Sequence, residues 1–180
     1  MHGFSRKRVA MAFSIILVLI ALEFYAYTYV HVDRLPLLTQ EEALKFPFYV
    51  NGTYTFSSNG ARWFLVLQYQ KPEPSLNFAY VYIFKIEQNV SFLTRSVDLL
   101  VSGLDLKSNG TAGFFMASVD ETFYEGNFTV VRIWYDIGQI GVYEVDFGLR
   151  VRVYEDTFLG LLPRGDVRVP INATLYYGPP

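Results

Sequence analysis

From Tyr143 to Val153 the chain alternates without a break. Tyr143, Val145, Phe147, Leu149, Val151 and Val153 are apolar, and Glu144, Asp146, Gly148, Arg150 and Arg152 stand between them. A period of two collects every apolar side chain on one face of a β-strand, whereas a helix would scatter them around its circumference. The stretch therefore predicts a strand with one buried and one wet face. Phe78 to Ile86 carries Phe78, Tyr80, Tyr82, Phe84 and Ile86 on one side and Ala79, Val81, Ile83 and Lys85 on the other. Apolar residues on both sides predict a central strand covered on both faces. Arg62 to Gln70 and Phe128 to Asp136 read in the same way. Shorter strands are expected over Tyr49 to Ser57, Ser91 to Ser102, Ala112 to Ser118, Asp166 to Val169 and Ala173 to Tyr177.

Turn signals separate these runs at Asn51-Gly52, Asn59-Gly60, Lys71-Pro72-Glu73-Pro74, Asn109-Gly110, Gly126 and Pro163-Arg164-Gly165. Seven to nine strands in about 130 residues, with no long helix among them, predict an all-β, antiparallel sandwich. With no cysteine in the chain, the architecture is immunoglobulin-like only in the broad sense, and packing and hydrogen bonds must hold it. The same absence excludes thiol chemistry and zinc-thiolate sites.

Ahead of the strands, Arg6-Lys7-Arg8 leads into Val9 to Val30, in which Glu23 is the one charged residue. At 1.5 Å per residue these 22 residues make a helix of roughly 33 Å, enough to cross a bilayer. A cleaved signal needs small residues at its cleavage site, yet Phe24 stands two before Ala26 and Leu19 two before Ala21. Retention as a signal-anchor is expected. The basic cluster places the N-terminus in the cytoplasm. Tyr25, Tyr27 and Tyr29 would form an aromatic belt at the outer interface, and Glu23 would mark the end of the hydrocarbon span or pair with a basic group on a partner helix. The expected organisation is a cytoplasmic tail over 1–8, an anchor over 9–30, a stalk over 31–46 and an extracytoplasmic sandwich over 47–180. Within the stalk, Thr39-Gln-Glu-Glu42 has the spacing of a capping box and predicts a short helix.

Five of seven asparagines begin an Asn-x-Ser/Thr triplet: Asn51, Asn89, Asn109, Asn127 and Asn172. Chance would give about 0.8 at this composition, so the excess is read as N-glycosylation acceptors on an outward-facing chain. For Asn51 and Asn109, the Asn-Gly turn supplies a competing explanation. From Pro36 onward 11 Lys and Arg stand against 15 Asp and Glu, a net −4. That balance argues against a nucleic-acid partner, which demands a basic face.

Chemistry is sparse. His2 and His31 fall outside the expected sandwich, so no Ser-His-Asp triad or His-ligated metal is expected in it. Glu144 and Asp146 have the same-face spacing of a glycosidase pair, but Arg150 and Arg152 continue the row and make it read as a solvated face. Asp120, Glu121 and Glu125 offer oxygen ligands without calcium-loop spacing. No glycine loop fits a phosphate. Arg164-Gly165-Asp166 matches a short adhesive tripeptide in an expected turn. Trp63, Trp134, Tyr176 and Tyr177 would stack on sugars if exposed and are read as core or strand-end residues. The sequence thus predicts no catalytic residue, metal or cofactor. It points to a cell-membrane protein with the lipid bilayer as partner, together with other membrane or surface proteins. Its role would be a non-enzymatic structural or interaction module or accessory subunit. The alternatives are a tethered carbohydrate- or ligand-binding module and, further off, a carboxylate-based glycan-cleaving enzyme.

Overall fold

The computed structural model describes residues 6–29, 34–45, 51–69, 77–90, 92–107, 116–157 and 160–177, without the side chains of residues 23–29, 69, 107 and 176. Eight strands follow two helices: α1 (Arg6–Tyr29), α2 (Gln40–Leu44), β1 (Gly52–Ser58), β2 (Ala61–Tyr69), β3 (Asn77–Gln88), β4 (Thr94–Lys107), β5 (Met116–Tyr124), β6 (Thr129–Asp136), β7 (Gly141–Thr157) and β8 (Gly160–Tyr177). The chain is an all-β sandwich of two antiparallel sheets, β1-β2-β3-β6-β5 and β4-β7-β8. Along one side β1 comes up to β8, and along the other β5 comes up to β4.

The alternation seen in the sequence decides which side chains fill the sandwich. Val145, Phe147, Leu149, Val151 and Val153 of β7 point inward with Val169, Ile171, Ala173 and Leu175 of β8. They meet Trp63, Leu65 and Leu67 of β2, Ala79, Val81 and Ile83 of β3, and Val131, Ile133 and Tyr135 of β6. Strand β3 lies at the centre of its sheet, as its two apolar faces require. Its outer face supports a second, smaller core, in which Phe64, Val66 and Phe84 bury against Ala43 of α2. Phe128 closes this core by tilting onto Phe84 at 5.1 Å and meeting Tyr82 edge-on at 5.6 Å.

α2 begins where its capping box predicts. Glu42 N–H donates to Thr39 Oγ1 at 3.2 Å, and Thr39 N–H donates back to Glu42 Oε2 at 2.7 Å. The two bonds satisfy donors that a helix start leaves open. This segment, within the expected stalk, packs on the body. Leu35 enters the main core, Leu37 bridges β3 in parallel at Lys85, and Leu38 N–H donates to Lys85 O at 2.9 Å. Strand β6 pairs with β3 only as far as Ile83, so β3 has an open edge at Lys85 and the incoming chain takes it.

Two expected turns belong to other structures. Pro163-Arg164-Gly165 is a bulge inside β8, where Val153 faces Gly165, Tyr154 faces Pro163, and Arg164 is the extra residue. The separate strands expected over Asp166 to Val169 and Ala173 to Tyr177 are accordingly one edge strand. Its free side tolerates Pro163 and Pro170, which cannot donate to a ladder. Asn51 does not turn a hairpin, for its N–H already donates to Leu67 O of β2 at 2.7 Å. Asn59-Gly60 does turn the β1–β2 hairpin, with φ of 49° and 78°, the conformation that favours Asn-Gly. Asn109-Gly110 and the 71–74 turn lie outside the described residues.

α1 is one continuous helix of 24 residues, and it meets the body at β8. Among the described residues no helix is long and apolar enough to cross a membrane. Side chains are described on α1 from Arg6 to Leu22, whereas the expected span runs to Val30.

Candidate functional site

The strands bring four connections to one end of the sandwich: Asn59-Gly60, Asn89 to Leu93, Glu125 to Phe128, and the β7–β8 turn after Thr157. The segment beginning at Arg34 enters at this same end, since Leu37 bridges Lys85 and Arg34 meets Asp156. Charges far apart in sequence gather there. Lys85 follows Ala79, Val81 and Ile83 in the inward row of β3, and only 3% of its side chain is exposed. Its Nζ donates to Asp98 Oδ1 at 2.6 Å and to Val97 O at 3.3 Å, and Ser96 Oγ donates to Asp98 Oδ2 at 2.5 Å. A buried cation without such partners would be strongly destabilising. The pair joins β3 of one sheet to β4 of the other.

Asp156 is also buried, and Arg34 Nη2 approaches its Oδ2 at 2.7 Å. That oxygen has no aligned hydrogen bond, so the contact is ionic. Beside it Glu155 accepts from Thr94 Oγ1 and Arg164 Nε. The Thr94 hydroxyl first, and the Arg164 guanidinium after it, hold the Glu155 carboxyl below the usual range despite burial that works against this. Tyr124 Oη donates to Gly126 O and lies 3.2 Å from Arg34 O. Together these contacts fix the segment that leads from α1 into the body.

The outer face of β4-β7-β8 is a ladder of paired charges. Arg152 Nε donates to Asp166 Oδ1 at 2.7 Å, and this holds the Asp166 carboxyl low and raises the Arg152 guanidinium. Arg150 lies 3.1 Å and Arg168 3.6 Å from Asp105. Gly148 interrupts the row because the Arg168 side chain occupies the space a Cβ would need. Glu144 is exposed, while Asp146 accepts from Asn172 Nδ2 at 2.7 Å. The two carboxylates sit on the solvated face that Arg150 and Arg152 continue. Both charged members of Arg164-Gly165-Asp166 are tied to β7 through Glu155 and Arg152. Asp120 and Glu121 share Arg132, at 2.5 and 3.0 Å. Among the described residues no three carboxylates or histidines gather as a metal site would.

A groove of about 440 Å³ lies between β1 and the β7–β8 pair, lined by Tyr54, Asp146, Arg168, Pro170 and Asn172 among others. Its two aromatic linings are Tyr54 and the buried core residue Phe147, and Tyr54 Oη is committed to Asn172 O. Burial, ahead of that bond and of Asp146, raises the Tyr54 hydroxyl. Asn51 Nδ2 donates to the neighbouring carbonyl of Thr174 at 2.9 Å. These two side chains cover outward carbonyls of edge strand β8, one of the ways a sheet edge is protected from stray pairing. Trp63 is fully buried and stacks on Phe56 at 4.9 Å, and Trp134 and Tyr177 are half-buried. The side chain of Tyr176 lies outside the described residues.

Of the expected glycan acceptors, Asn89, Asn127 and Asn172 are exposed, Asn51 is half-buried, and Asn109 lies outside the described residues. Arg6, Lys7 and Arg8 are exposed in the first turns of α1. Glu23, Tyr25, Tyr27 and Tyr29 continue its backbone, with their side chains outside the description, as are His2 and His31. The Lys85–Asp98 pair escaped the sequence reading. Its signal was Lys85 in a row of inward apolar residues, which demands a buried partner. Comparison with known protein families, with curated proteins and with solved structures finds no match to this chain.

Proposed function

We propose that the chain is a single-pass membrane protein, N-terminus inside, whose N-glycosylated sandwich acts outside as a non-enzymatic structural or interaction module or accessory subunit of a membrane complex. One observation carries this reading. Every side chain of α1 from Arg6 to Leu22 is exposed, and Val9, Met11, Phe13, Ile15, Ile16, Leu17, Val18, Leu19, Ile20 and Leu22 lie on all its faces at 51–66% exposure. A helix apolar all round needs an apolar surrounding, and the body supplies none over these residues. The described helix alone does not meet the requirement of a span, and the reading rests on the sequence run Val9 to Val30, 22 residues with one charge, about 33 Å as a helix. The basic residues at its start give the orientation. Many of the described carboxylates are taken up in contacts between strands, Asp98 with Lys85, Asp120 with Arg132, Asp146 with Asn172, Glu155 with Thr94 and Asp166 with Arg152, an arrangement that holds strands together.

The test exploits the absence of cysteine. Single cysteines placed at Ser5 and at Ile140, exposed at the far end of the sandwich, in the full-length protein are probed in intact cells with a membrane-impermeant thiol reagent. Labelling at 140 alone, in protein that stays with the membrane through alkaline carbonate, supports the reading. Release by carbonate, or labelling at 5 alone, overturns it. Mild-detergent extraction and native sizing then identify companions.

A further inference from the structure

We propose that the tip of the β3–β4 loop, Phe92 and Leu93, dips into the outer lipid interface beside the anchor and fixes how the sandwich stands on the bilayer. This rests on the anchored reading above. Phe92 is 96% exposed and Leu93 56%. A solitary exposed apolar residue needs no explanation, but the position of this pair asks for one. Both lie at the end of the sandwich where Arg34 enters. Four residues, 30–33, separate Tyr29 at the end of α1 from Arg34. Fully extended, that connection spans at most about 18 Å. An anchored body is therefore held with this end facing the membrane.

The loop is supported from below. Asn89 N–H donates to Gly60 O at 2.7 Å, and a side chain at Gly60 would collide with Asn89 O. Gln88 spans the base of the loop, accepting from Val97 N–H and donating to Arg95 O, both at 3.3 Å. The tip thus projects from a braced base. Leu37, 54% exposed at the Lys85 bridge, adds apolar surface at the same end. Arg34, which pairs with Asp156, keeps exposed surface at this end, as do Arg95 and Arg62, the latter paired with Glu87 at 2.7 Å. Apolar and aromatic side chains flanked by arginines suit the boundary of acyl chains and phosphates. The far end has exposed apolar residues too, Ile140 and Val142, but no connection holds it near the bilayer, so it serves as the internal control.

The experiment uses the full-length chain in vesicles of phosphatidylcholine and phosphatidylglycerol, with one cysteine at Phe92→Cys or Ile140→Cys carrying a polarity-sensitive fluorophore. At position 92 the emission should shift to the blue and lose most of its intensity to a nitroxide on the lipid, with little loss to aqueous iodide. At position 140 the quenchers should exchange roles. Equal iodide quenching at both sites, in protein that resists carbonate, overturns the rim contact and leaves the anchor standing. Protection of 92 from both quenchers also overturns it, in favour of a protein partner. Protein that carbonate strips from the vesicles overturns both readings. Asn89 is three residues before the tip, so a glycan mapped to Asn89 in the native protein likewise overturns the contact.

Discussion

Breaking one half of the Lys85–Asp98 pair should be among the most damaging single changes in the sandwich. At 2.6 Å and an effective dielectric of about 20, two unit charges attract by about 6 kcal/mol. Desolvating each ion costs several kcal/mol, so the intact pair contributes little net stability. Asp98→Asn removes the attraction but leaves Lys85, 3% exposed, desolvated with weaker partners. The expected cost is about 3–5 kcal/mol, the usual penalty for a buried charge deprived of its counter-ion. At a slope of about 2 kcal/mol/M, this lowers the urea midpoint by about 2 M. Lys85→Met should cost about as much, since it orphans Asp98. The pair Lys85→Met with Asp98→Leu should fall within about 2 kcal/mol of the parent, because neither charge is then left alone. Urea titration of the full chain in detergent reads all four proteins through tryptophan emission, Trp63 being the cross-strand neighbour of Lys85. Single losses under about 1 kcal/mol that simply add in the double variant would refute the argument, for the pair would then be neither dry nor coupled.

Further outcomes follow from the same contacts. Thr39→Ala should cost about 1 kcal/mol by uncapping α2, and exchange of the Ala43 amide should speed up; an unchanged rate would count against the box. Gly60→Ala meets both a positive φ of 78° and Asn89 O, so the urea midpoint should fall and the β3–β4 loop should become more protease-sensitive. Glu155 has its folded pKa depressed. Its contribution is present above the unfolded carboxylate range, near pH 4.3, and is lost as pH falls through the lower folded value. Stability of the parent should therefore drop on acidification below about pH 5, and Glu155→Gln should flatten that drop; parallel curves would exclude the residue as a cause. Peptide mapping of glycans should find exposed Asn172 occupied and the half-buried, edge-locking Asn51 bare; the reverse pattern would count against this reading of the edge.

The strands were legible where burial follows strict alternation. β2, β3, β6 and the body of β7 fall within a few residues of the sequence reading, because each presents an unbroken inward row to the opposite sheet. The reading failed where pairing outruns local pattern. Pro163, Gly165 and Pro170 look like punctuation in sequence, yet β8 runs through all three, since an edge strand needs hydrogen bonds on one side alone. The entering segment was read as a stalk from its position after the apolar run. In the structure Leu35 and Ala43 are buried in two different cores, which depends on where β6 stops pairing with β3 and leaves no mark in residues 34–43 themselves.

The charged seam was the least legible part, and the reason is topological. Arg34, Lys85, Asp98, Glu155 and Asp156 are dispersed over more than half the chain, and none stands in a spacing that suggests chemistry. They meet because β3, β4 and β7 end or begin at one end of the sandwich, where the chain from α1 arrives. Sequence patterns record what one element does to its own faces, whereas a seam between sheets is a property of their order. Because Arg34 follows α1 by a few residues and is the partner of buried Asp156, a disturbance of α1 reaches the sandwich through this ion pair as well as through the contact of α1 with β8. Arg34→Ala should therefore loosen the inter-sheet seam at Asp156 and the attachment of α1 together, even though Arg34 itself is more than half exposed.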